Sequence, residues 1–191
     1  MTLSSEQHLT QLDAANLAPL VRQVLADDGA QLADCSFSRL PADAINPITE
    51  GIYRFTGMAR CRDGPRPWSL ILKRVRWTDL GDAGKDFIDA PADWNYWKRE
   101  SLFYQSGIQD SWRGGLVSAK FLALWEPTPG TAWIWLKEVV EPNRSPWPVE
   151  RHVLAARHFG EFNGAHVGYV PAGNFKGPGS VFKKSAPARR R

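Results

Sequence analysis

Between the strand-like runs Ile52–Cys61 and Trp68–Val75 lies only the turn Arg62-Asp63-Gly64-Pro65. So short a link lets two strands pair in one way, antiparallel, because a parallel return needs a crossover of a dozen or more residues. The pair therefore nucleates an antiparallel sheet. Alternation along the second run puts Trp68, Leu70 and Leu72 on one face and Ser69, Ile71, Lys73 and Val75 on the other. A second hairpin is predicted from Lys120–Trp125 and Thr131–Val140, turning at Pro127-Thr128-Pro129-Gly130.

Around these hairpins the order is strand, strand, strand, helix, strand, strand, linker, helix. The first strand is expected over residues 31–39. Five mostly antiparallel strands with one helix between the third and the fourth make an α+β layer. A first helix is predicted over 15–28, with Leu17, Leu20, Val21, Val24 and Leu25 at helical spacing, Pro19 in its first turn and Gly29 as its stop. Asp93 is placed to cap a helix from Trp94 to Ser106 that Gly107 ends, and a last helix runs from Val149 to Asn163, ended by Gly164. The chain divides into an N-terminal helical segment (1–30), a sheet-bearing lobe (31–141), a linker with one helix (142–166) and a low-complexity tail (167–191), with an irregular insert at 78–92. The tail's Gly, Pro, Ser, Lys and Arg composition predicts disorder.

Charge supports this division. The net charge is +4, yet residues 170–191 carry six basic side chains and no acid. Taking those six from +4 leaves −2 for residues 1–169, so a nucleic-acid reading would rest on the tail alone. The nine tryptophans fall between Trp68 and Trp147, where the core is expected. Cys35 and Cys61 lack metal-ligand spacing and read as reduced thiols. No basic-then-apolar leader opens the sequence and no apolar run spans a membrane, so the expected location is the cytoplasm.

Four features could carry chemistry. Lys73 lies late in an apolar strand, and read alone it is a surface lysine. Glu100 shares a helical face with Trp97 and Tyr104; it calls for a cation, either Lys73 or a local Lys98 or Arg99. Gly51, in Thr49-Glu50-Gly51-Ile52, reads as a loop glycine ahead of a strand or as part of a turn whose N–H groups hold phosphate. Leu136-Lys137-Glu138-Val139 ends an apolar strand at a proline-rich linker, as either a surfacing core strand or a hinge.

Taken in order, Gly-Ile-Tyr-Arg (51–54), Trp-Ser-Leu-Ile-Leu-Lys (68–73), Tyr-Trp-Lys-Arg-Glu (96–100), Trp-Ile-Trp-Leu-Lys-Glu-Val (133–139) and Ala-Ala-Arg-His-Phe-Gly-Glu-Phe-Asn-Gly-Ala (155–165) resemble the bacterial aminoglycoside phosphotransferase and choline kinase-like family. The resemblance covers residues 34–165. It implies a kinase-like small lobe followed by a hinge and the first helix of a helical large lobe. It also implies ATP as ligand, with Mg2+ arriving only with the nucleotide. Lys73 would contact the phosphates and Glu100 would orient it. Gly51 and Ile71 would line the site, and Leu136, Glu138 and Val139 would form the hinge against the adenine. Lys137 departs from the Leu-Glu-Asp-Val usual at that hinge.

A larger departure follows. Family members continue into His-x-Asp-x-x-x-x-Asn and then a metal-binding aspartate. Here the stretch from His166 places Gly168 and Gly173 at the Asp and Asn positions, and the last aspartate is Asp110. Neither glycine accepts a proton or binds magnesium, so no useful turnover is expected, as from a phosphotransferase cut short by a frameshift or early stop. A non-catalytic nucleotide- or partner-binding module is the alternative, and an interaction protein with an accidental Lys73–Glu100 pair is the third. The apolar residues Val153, Leu154, Phe159 and Phe162 predict an exposed patch on the last helix and self-association through it.

Overall fold

The computed structural model describes residues 7–10, 12–41, 48–77, 91, 96–112, 115–140 and 146–166. The Asp93 cap, most of the 78–92 insert, most of the linker and the 167–191 tail lie outside them.

The architecture is α+β. Helices α1 (Gln7–Thr10) and α2 (Ala14–Leu25) precede strands β1 (Gln31–Leu32), β2 (Ser36–Arg39), β3 (Thr49–Cys61) and β4 (Gly64–Arg76). Helix α3 (Arg99–Gln105) and a 3-10 turn (Ile108–Ser111) lead to β5 (Phe121–Trp125), β6 (Thr131–Lys137) and helix α4 (Val149–His166). The sheet order is β1-β3-β4-β6-β5, with β2 also on β3, and every pairing is antiparallel. No described helix is long and apolar enough to cross a membrane.

The central hairpin is longer than its sequence suggests. β4 starts at Gly64, where φ is 120°, and leaves only Arg62-Asp63 as the loop. Pro65, which reads as a turn residue, and Pro67, which precedes the expected strand start at Trp68, are inside the strand. They are tolerated because β6 pairs with β4 only from Leu70 onward, so their missing N–H groups fall on an unpaired edge. The predicted strand over 31–39 is broken in two at Ala33–Cys35. There the Asp34 carboxylate accepts the Met58 N–H at 2.9 Å, and the Asp34 carbonyl presses so close to Gly57 that a Cβ would lie 2.2 Å from it.

Alternation sorts the core into two layers. On one face Tyr53, Phe55, Trp68, Leu70, Leu72, Trp133 and Trp135 pack under α2, which adds Leu17, Leu20, Val21 and Leu25. The tryptophan-rich stretch thus supplies only part of the core. On the other face Val75, Ala132, Ile134 and Leu136 pack with Trp97, joined by Ile71, Tyr104 and Phe121.

Helix ends depart from expectation in three places. Helix α2 is capped by Asp13, which accepts the Asn16 N–H at 2.9 Å; Pro19 is therefore its sixth residue, beyond the first turn. It ends at Ala26 in the left-handed region (φ 52°), three residues before Gly29. Asp27 makes that early stop affordable: its carboxylate accepts the N–H groups of Gly29 at 2.9 Å and Arg62 at 3.3 Å, tying the helix end to the hairpin loop. Helix α3 begins at Arg99, five residues later than Trp94, while Gly107 (φ 65°) ends it as expected. Helix α4 continues through Gly164 to His166.

Candidate functional site

Lys73 sits late in β4, opposite Ile52 on β3 and Ile134 on β6. The strand's two-residue period turns it away from the tryptophan layer, onto the face that α3 covers. Trp97 anchors the chain just before α3 by burying its ring in that layer, and Tyr104, one helical turn beyond Glu100, stacks on Phe121 at 5.4 Å. These two anchors fix the helix so that Glu100 points at the strand. Lys73 Nζ donates to Glu100 Oε2 at 2.5 Å.

The local alternatives for Glu100 are otherwise engaged. Lys98 pairs with Glu126 at 3.1 Å and lies over the Trp97 ring, and the Arg99 guanidinium donates to the Pro91 carbonyl at 3.4 Å. Lys73 and Glu100 keep 25% and 32% of their side-chain surface exposed, so the ammonium is fixed yet reachable. An ammonium has three N–H donors, and two remain for an incoming anion. Burial pushes the nearby Tyr104 phenol up, opposed by its hydrogen bond to Ser118 and assisted by the Glu100 charge.

An apolar strip extends from this pair along the same face. Ile71 on β4 pairs with Leu136 on β6, and Arg54 flanks Ile71 from β3. At the far end Glu138 does not point outward as a hinge side chain reaching for a ligand. It folds back onto the sheet, where Arg54 donates to it at 2.6 Å and the Ser69 hydroxyl at 2.5 Å. Val139, next in the chain, is exposed. Ser69 and Lys73 are four residues apart on one strand, about 13 Å. The face thus has a fixed cation at one end, an apolar floor, and a carboxylate locked by two donors at the other. Sequence alone assigned no role to Arg54 or Ser69, although alternation along β4 places Ser69 on the Lys73 face; Arg54 joins it through the β3–β4 register beside Ile71.

Gly51 is placed differently from either reading. It lies within β3, next to a bulge between Thr49 and Gly51, and pairs with Arg74. Its lack of a side chain makes room for Tyr53, whose ring would come within 2.9 Å of a Cβ. A cavity of about 410 Å³ adjoins this segment, lined by Thr49–Ile52 and by Arg39, Leu40 and Pro41, so it is separate from Lys73 and Glu100.

Two further clusters emerge only in three dimensions. Arg74 is 3% exposed on the tryptophan face, 5.1 Å from the Trp133 ring and 5.9 Å from Tyr53, and pairs with Glu50 at 2.8 Å. Asp27, Cys61 and Asp63 bring potential metal-ligating atoms within 4.8 Å of one another. In that trio the Asp27 carboxylate already accepts two backbone N–H groups, and burial pushes the Cys61 thiol up, with the Asp27 hydrogen bond adding to it. The trio is thereby a lock on the hairpin loop, and a thiolate ligand is disfavoured.

No family model matches the chain, and neither a curated protein nor a solved structure matches it.

Proposed function

We propose that the chain is a nucleotide-holding lobe of phosphotransferase type, a kinase-like small lobe that binds ATP without transferring its phosphate. The observation that carries this reading is the Lys73–Glu100 pair, 2.5 Å apart and partly open to solvent, beside the Ile71–Leu136 strip. A fixed ammonium suits triphosphate oxygens, and an apolar strip suits the flat face of a base.

Roles follow from placement. Lys73 contacts the phosphates and Glu100 holds it there. Ile71 and Leu136 form the floor beneath the base. Glu138 acts by positioning: held by Arg54 and Ser69, it fixes the exit of β6 so that the backbone at 136–139 meets the base edge. Gly51 contributes a close-packed strand rather than a phosphate cradle. Mg2+ enters with the nucleotide. Phosphoryl transfer needs an acceptor for the substrate hydroxyl's proton and a metal-holding carboxylate, and in the stretch from His166 the matching positions are Gly168 and Gly173, which fill neither role.

Calorimetric titration of the chain with ATP and Mg2+ tests this. The expected result is saturable binding of one nucleotide, weakened in Lys73→Ala, with no ADP produced over hours. Absence of saturable binding to the wild-type chain overturns the proposal.

A further inference from the structure

Among the described residues, helix α4 touches the rest of the protein along one stripe. Arg151, Ala155, His158 and Phe162 are its half-buried positions, spaced i, i+4, i+7 and i+11. Phe162 meets Trp112 at 5.2 Å, and the His158 ring lies directly over Gly115. The opposite side is exposed and apolar. Val149, Val153, Ala156 and Gly160 succeed one another at spacings of four, three and four, the spacing of a helix–helix seam. Val149 and Val153 are 71% and 61% exposed, and nothing lies within 4 Å of where a Cβ on Gly160 would be.

This seam is complementary to itself when two copies run antiparallel. Placing Val153 against Ala156 of a second copy also places Val149 against Gly160, so each large residue meets a small one on both sides of the two-fold axis. That register is fixed by packing alone. It also brings Glu150 of one copy to Arg157 of the other, twice, because residues a heptad apart on one flank face each other across an antiparallel pair. Arg157 uses its Nε on Glu161 at 2.9 Å, and its terminal nitrogens suit a second carboxylate. Packing and charge thus select the same alignment.

We infer that the exposed face of α4 is a homodimer interface, two copies pairing antiparallel through Val149, Val153, Ala156 and Gly160, with Glu150–Arg157 pairs on the rim. A helix pair of this length buries less than the roughly 1,600 Å² of a standard stable interface, so association depends on concentration. The inference is independent of nucleotide binding.

Sedimentation of the full chain over a concentration series, at low salt, tests it. The wild-type mass is expected to rise from 21.4 kDa toward twice that value. Glu150→Arg and Arg157→Glu each set like charges face to face, and each should weaken dimerisation by about tenfold or more. An equimolar mixture of the two variants restores both opposite-charge pairs and should dimerise again as a heterodimer. The inference is overturned if the wild type keeps the mass of one chain throughout, if the single variants dimerise as well as wild type, or if the mixture gains nothing over either variant.

Discussion

Replacing Lys73 with alanine separates the residue's part in the fold from its part in binding. The pair it makes with Glu100 is 2.5 Å long but one quarter to one third exposed, so water screens it. Its loss should cost at most about 1 kcal/mol of stability. For a chain of this size that lowers the melting midpoint by up to about 4 °C. The ligand response is a larger quantity. At a nucleotide concentration of 100 Kd, binding stabilises the folded form by about 2.7 kcal/mol. That corresponds to a rise of roughly 5–11 °C. Losing a hydrogen bond to a charged group costs about 1.5–3 kcal/mol, which weakens Kd by roughly 10- to 150-fold. At the same nucleotide concentration the variant would then retain only about 0.3–1.4 kcal/mol of ligand stabilisation. The assay is calorimetric melting of wild type and Lys73→Ala, each with and without ATP and Mg2+. The expected outcome is a small difference between the unliganded proteins and a ligand-induced rise at least halved in the variant. Equal rises in the two proteins would refute the role given to Lys73, and no rise in wild type would refute nucleotide binding altogether.

Glu50→Gln should destabilise by about 3 kcal/mol, because it leaves Arg74 charged in the tryptophan layer; Glu50→Leu with Arg74→Met should lose less than that single change, as urea unfolding of the set would measure. Gly57→Ala pushes a methyl against the Asp34 carbonyl and the Trp68 ring, and should cost about 1–3 kcal/mol by the same unfolding assay. The N–H groups of Gly29 and then Arg62 hold the Asp27 carboxyl below its ordinary 3.8, so its contribution is complete above that pH and is lost as pH falls through the lower folded value. Asp27→Asn should therefore flatten the acid side of the stability curve, read as urea midpoints from about pH 5 to about pH 2.

How far the sequence reached depended on the range of the interaction. The central hairpin, the faces of Trp68 through Val75, the helix stop at Gly107 and the turn at Gly130 were all legible, because a two-residue period and a tight turn are properties of a few neighbouring residues. Pro65 misled for the same reason: locally it signals a turn, and only the end of β6 at Lys137, opposite Leu70, leaves an edge where a strand accepts it. The α2 terminus went astray because Asp27 is held by Arg62, 35 residues away.

The candidate site divides along the same line. Sequence alone put Lys73 on the face away from the tryptophans and Glu100 on a helix face with Trp97 and Tyr104. It left the partner of Glu100 open among Lys73, Lys98 and Arg99. The tertiary structure decided it, since Lys98 is drawn to Glu126 on the second hairpin while the buried anchors of α3 swing Glu100 onto β4. The structure alone also buried Arg74, through Glu50 and two rings brought from β3 and β6, and turned Glu138 back to Arg54 and Ser69. Periodicity fixes which way a side chain points. Which group it meets depends on strand order and helix docking, and those are set by burying the whole sheet at once.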